Sequence, residues 1–195
     1  TEEGPTLFVS AAIHGDEING VDIVRRLLKH RLLKSIKGTL IAIPIVNVFG
    51  FNDKSRYLPD RRDLNRSFPG AEHGSLASQI AYIFRTEIVS QATCGIDLHT
   101  GAIHRRNLPQ IRADLSHKPN LDLAMAFGAP VILDASPRDG SLREMVDEKK
   151  IPMLLYEAGT ALRFDHRAAL LGVEGILNVM RAMGMLPPLK LKPTI

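Results

Sequence analysis

Two short apolar runs, Thr6 to Ala12 (TLFVSAA) and Thr39 to Val46 (TLIAIPIV), most strongly limit what this chain can form. Each reads as a strand buried on both faces, the pattern of parallel sheets. Between them, Ile18 to Leu33 places Val21, Ile23, Val24, Leu27 and Leu28 at helical spacing. The alternation continues down the chain. Ser75 to Gln91 is predicted as a helix opened by Gly74-Ser75, Gly95 to Leu98 as a short strand, and Gln110 to Ala113 as another. Asn120 to Phe127 reads as a helix, Val131 to Leu133 as a strand, and Ser141 to Glu148 as a helix. A strand at Pro152 to Tyr156 and a last helix at His166 to Met183 complete the series. Such alternation predicts an α/β fold with a mostly parallel or mixed central sheet and helices on both faces.

Asn47 to Gly70 interrupts the rhythm as a long polar loop, broken by Asn47, Gly50, Pro59, Pro69 and Gly70. A loop of this length inside a compact domain is more often functional than idle. The 195 residues fit one domain, taken as residues 1–185. Residues 186–195 (LPPLKLKPTI) read as a linker or edge strand leading out of it.

Composition excludes several classes. Hydrophobic residues make up 45% and charged residues 24%, enough apolar material for a packed core. No 18-residue apolar run is present, so no membrane span is expected. Thr1 to Pro5 resembles neither a signal nor a transit peptide. The single cysteine, Cys94, rules out an internal disulfide framework and points to a reducing, cytoplasmic setting. The net charge of +4 is spread along the chain without a basic run, so nucleic acid is not the expected partner. A positive site that attracts small anions accounts for the balance.

Four segments carry chemistry. His14-Gly15-Asp16-Glu17 lies where the first strand ends, and Gly15 permits a sharp turn that converges imidazole and carboxylate. Asp97-Leu98-His99-Thr100-Gly101 brings His99 to a loop at the carboxyl end of another strand, with Asp97 as a partner that orients an imidazole. Two histidines and one carboxylate form the donor set of catalytic zinc sites, which keep one position for water. Glu157, at the end of a third strand, has the chemistry of a general base. The loop Arg56 to Gly70 packs four arginines into eleven residues, Arg56 to Arg66, with Leu64 and Phe68 as apolar anchors. Arginines fork carboxylates and stabilise oxyanions.

Together, HGDE at 14–17, RYLPDRRDLNRSFPG at 56–70, DLHTG at 97–101 and YEAG at 156–159 resemble the succinylglutamate desuccinylase/aspartoacylase family. That family is similar in its core to the M14 zinc carboxypeptidases. The resemblance implies one Zn(2+) per chain on His14, Glu17 and His99, with Glu157 as general base. It implies Arg56 as the group polarising the scissile carbonyl, Asn65 and Arg66 as the pair holding the substrate carboxylate, and Arg143 as a second carboxylate anchor. Family members usually continue into a β-rich domain, toward which residues 186–195 would lead.

The expected activity is hydrolysis of the amide bond of a small-molecule N-acyl amino acid. A metallocarboxypeptidase acting on a short peptide, or a metal- or carboxylate-binding module without catalysis, is the alternative. A homo-oligomer is left open.

Overall fold

The computed structural model describes residues 3–189. In chain order the strands are β1 (Thr6–Ala11), β2 (Thr39–Ile43), β3 (Cys94–Gly101), β4 (Asn107–Ala113), β5 (Val131–Asp134) and β6 (Met153–Thr160). The helices are α1 (Asn19–Leu28), α2 (Val48–Asn52), α3 (Leu76–Ile83), α4 (Lys118–Phe127), α5 (Leu142–Glu148) and α6 (His166–Ala182). The six strands form one sheet in the order β2-β1-β3-β6-β4-β5. β2, β1, β3 and β6 run parallel, whereas β4 is antiparallel to β6 and carries β5 parallel to itself. The mixed form of the expected α/β sheet is therefore the one observed.

Period-two alternation sorts the side chains of each strand between two cores. Leu7, Val9 and Ala11 of β1, Ile96 and Leu98 of β3, and Leu154, Tyr156 and Ala158 of β6 pack with α1, α4 and α6. On the opposite face Phe8, Met153 and residues of α3 and α5 form a second core. Leu64 and Phe68 are buried in it, so the arginine-rich loop is anchored to the body as expected.

Several boundaries differ from the sequence reading for local reasons. β1 stops one residue early because Ala12 adopts φ 51°, the left-handed region. β2 was expected to be buried on both faces, but it is the outermost strand and stays half-exposed. α1 ends at Leu28 because His30 is extended and its ring accepts from Leu32 N, opening a separate 3₁₀ turn. The helix predicted over 75–91 begins with Ser75 capping Ser78 N, then loosens into a π turn at Phe84–Ile88 and a 3₁₀ turn at Val89–Gln91. The loop 47–70 contains α2 and a 3₁₀ turn at Leu64–Arg66. Of the predicted tail, Leu186 is buried in the core, and residues 190–195 lie outside the described residues. No helix among the described residues is long and apolar enough to cross a membrane.

Candidate active site

The site grows out of the sheet's pleat. Ser10 of β1 pairs in register with Asp97 of β3, and His99 pairs with Glu157 of β6. Residues 95, 97 and 99 share one face of β3, the face opposite Ile96 and Leu98. Ser10, Asp97, His99 and Glu157 therefore line up on the same side of the sheet. Both β3 and β6 run further than predicted, to Gly101 and Thr160. His99 and Glu157 are thus held inside strands rather than on loops beyond them, and a register shift follows His99. Ladder hydrogen bonds on both sides make such positions more rigid than a loop allows.

His14 and Glu17 come from the turn after β1, where Glu17 N donates to His14 O at 3.1 Å. Gly15 is needed there for space rather than for a left-handed φ. A Cβ on it would stand 2.0 Å from the carbonyl carbon of Gly50 and 2.2 Å from Phe51 N. The left-handed residue of the turn is Ala12.

His14, Glu17 and His99 are buried and converge, with one ligand atom from each lying within 4.8 Å of the others. His14 Nδ1 lies 2.7 Å from Glu17 Oε1, and His99 Nδ1 lies 2.9 Å from Glu17 Oε2. The far nitrogen of each ring faces a second carboxylate. His99 Nε2 is 2.6 Å from Asp97 Oδ2, and His14 Nε2 is 3.2 Å from Asp63 Oδ1. Ser10 Oγ donates to Asp97 Oδ1 at 2.7 Å, and Thr100 N donates to Glu17 Oε2 at 3.1 Å.

Electrostatics follow from this chain of carboxylates. Burial alone would lower the imidazoles, but Asp97 and Glu17 raise His99 well above its ordinary value, and Glu17 and Asp63 raise His14. Burial alone would raise Glu17, but His99 and His14 hold its carboxyl well below the usual range. Asp63 is likewise held low, against its own burial, by His14 and Arg56. The cluster therefore stabilises positive charge between two imidazoles and a carboxylate, a charge that a divalent cation could supply. The donor set and the carboxylates behind each ring fit such an ion.

The surrounding cavity, about 280 Å³, places Glu157, Arg56, Asn65, Arg66 and Arg143 beside the cluster. Arg56 donates to Asp63 Oδ2 through Nε (3.2 Å) and Nη2 (2.9 Å), and its Nη1 lies 3.6 Å from Glu17. Asn65 is buried and its Oδ1 accepts from Leu142 N at 2.9 Å, which leaves its amide NH₂ toward the cavity. Arg66 bonds through Nη1 to Asn65 O. Arg143 lines the cavity, but its guanidinium donates to Ala135 O (3.1 Å) and Ser136 O (2.8 Å), so part of its hydrogen-bonding capacity is already used. Cys94 is a core residue whose thiol burial pushes up to about 12, so it is no nucleophile.

Four contributors had no role in the sequence reading: Asp63, Asn107, Gln110 and Arg112. Asp63 stands among turn formers that give its direction away only in three dimensions. Gln110 and Arg112 alternate with the buried Ile111 and Ala113, a polar face on a sheet strand that is a usable signal.

An α/β domain with buried His, Glu and His donors at strand ends, a nearby carboxylate and an arginine-lined cavity has the make-up of a metal-dependent hydrolase domain. Residues 3–183 match the family profile of the succinylglutamate desuccinylase/aspartoacylase catalytic domain, and the chain belongs to this family. A 137-residue stretch, 66% of the chain, is 34% identical to the N-alpha-acetyl-L-2,4-diaminobutyric acid deacetylase of Halomonas elongata and covers 39% of that protein. The whole chain superposes on the product-bound ectoine utilization protein of Ruegeria pomeroyi with a TM-score of 0.89, 27% identity and 62% of that chain covered. A succinylglutamate desuccinylase from Silicibacter sp. TM1040 gives a TM-score of 0.88 at 26% identity, again with 62% of its chain covered. The chain thus spans less than two thirds of the length of each of these relatives.

Proposed function

We propose that this chain is the catalytic part of a zinc-dependent deacylase that hydrolyses the amide bond of an N-acyl amino acid. The observation that carries the reading is the register pairing of His99 with Glu157, which sets a second carboxylate beside the His14, Glu17 and His99 donors. The similarity to a deacetylase acting on an N-acetylated amino acid supports the substrate class. The unpaired, buried Cys94 agrees with a cytoplasmic setting.

Zinc bound by His14, Glu17 and His99 would lower the pKa of a water molecule and polarise the acyl carbonyl. Glu157, whose carboxylate borders the same cavity, would act as the general base that takes and holds the proton of the attacking water. The guanidinium of Arg56, braced by Asp63, faces the negative charge that grows on the carbonyl oxygen. As the carbon–nitrogen bond breaks, Glu157 passes the proton to the departing amine. The amide NH₂ of Asn65 and the guanidinium of Arg66 hold the amino acid's carboxylate, a charge-assisted contact contributing about 1.5–3 kcal/mol. Arg143, with its remaining N–H groups, borders the same space.

The zinc-loaded chain should release free amine from at least one member of a panel of N-acetyl and N-succinyl amino acids. Absence of release from every member, with zinc bound at one per chain, overturns the proposal. Preferential cleavage of short peptides, assayed beside that panel, would move the reading to a carboxypeptidase.

A further inference from the structure

β4 carries a polar face that the mechanism above does not use. Asn107 Nδ2 donates to Glu157 Oε2 at 2.5 Å, and Gln110 Nε2 donates to the same oxygen at 3.3 Å. Arg112 Nε is 3.6 Å from Oε2, too far for a hydrogen bond, and is buried without a hydrogen-bond partner. Three positive or donor groups thus converge on one oxygen. Among the described residues no hydrogen bond reaches Oε1 of Glu157.

The convergence is built into the sheet. β4 runs antiparallel to β6, with Gln110 in register with Glu157 and Arg112 with Leu155. Gln110 and Arg112 share a face by the two-residue period, but Asn107 has the opposite parity and would point away from an unbroken strand. The pairing shifts between Asn107 and Gln110, and that irregularity returns Asn107 to the face of Glu157. Irregularities of this kind re-aim a side chain beside a site.

We infer that Asn107, Gln110 and Arg112 are positioning residues for Glu157: they clamp Oε2 and leave Oε1 as the oxygen that takes and returns the proton. This rests on the proposed role of Glu157 in hydrolysis. The clamp aims the carboxylate, so its loss acts on turnover rather than on substrate binding. Misplacing a reacting group by about 1 Å costs on the order of 10²-fold in rate.

The test uses the zinc-loaded chain with Asn107→Leu, which keeps volume and removes the donor, and Gln110→Met as a second variant. Expected is a kcat lower by roughly 10- to 100-fold, with KM, zinc content and melting temperature unchanged, and a crystal structure of Asn107→Leu showing the Glu157 carboxylate turned from its wild-type position. Unchanged kcat in folded, zinc-loaded variants overturns the inference, as does an unmoved Glu157 carboxylate in that crystal structure. A wild-type chain that hydrolyses nothing overturns the functional proposal instead, and the position of Glu157 in the crystal structures still decides whether the clamp exists.

Discussion

His99 and Glu157 stand side by side in register across β3 and β6, more than fifty residues apart in sequence. One holds its imidazole toward Glu17, and the other presents a carboxylate to the same cavity. If Glu157 moves protons and does not hold the metal, Glu157→Gln keeps its zinc while turnover falls by about 10²- to 10⁴-fold. Elemental analysis and a hydrolysis assay on one preparation measure both quantities. Loss of zinc together with activity would make Glu157 a ligand.

Asp97 bridges Ser10 and the far nitrogen of His99. Carboxylates in that position fix the ring and raise its basicity, and replacing them weakens metal binding by about 10- to 100-fold. Asp97→Asn should show that loss in a competition titration with a chelator. His14→Ala removes a donor outright, and zinc should then be absent at equal protein concentration.

Gly15→Ala adds a single methyl where the backbone of Gly50 and Phe51 leaves no room. Overpacking of this kind costs about 1–3 kcal/mol. Because the added methyl pushes on the turn that carries both His14 and Glu17, zinc affinity should fall together with stability. Denaturant unfolding and metal titration of the variant check both; a wild-type melting curve would show that the turn yields freely.

Asp165 caps α6: its Oδ1 accepts from Ala168 N at 3.1 Å, and its Oδ2 lies 2.9 Å from Arg106. Those contacts, the Ala168 N–H first, hold its carboxyl below the ordinary aspartate value of 3.8. The stabilisation is complete above that value and is lost as pH falls through the lower folded value. Asp165→Ala should therefore cost about 1 kcal/mol at neutral pH. The gap to wild type should close as the medium is acidified below the ordinary aspartate range, as read by urea unfolding at several pH values.

The apolar runs at Thr6 and Thr39, the helical spacing after Ile18 and the four motif segments were legible because each is a local pattern. Burial on both faces dictates an apolar run, a helix dictates its own spacing, and metal donors are restricted to a few residue types. Those facts were enough for an α/β sheet, for His14, Glu17 and His99 as a candidate donor set, whose side chains the fold brings together, and for Asp97 behind His99. The tertiary structure decided the rest. That β4 enters the sheet antiparallel, beside β6, depends on pairing between residues about fifty positions apart, and no local period encodes such a register. The same holds for Asp63 reaching His14, and for Gly15, whose small size answers to a backbone segment thirty-five residues away. Hydrogen-bond partners across a sheet and close approaches between loops are set by packing of the whole domain, which is why the residues that aim Glu157 emerged only once the strands were in place.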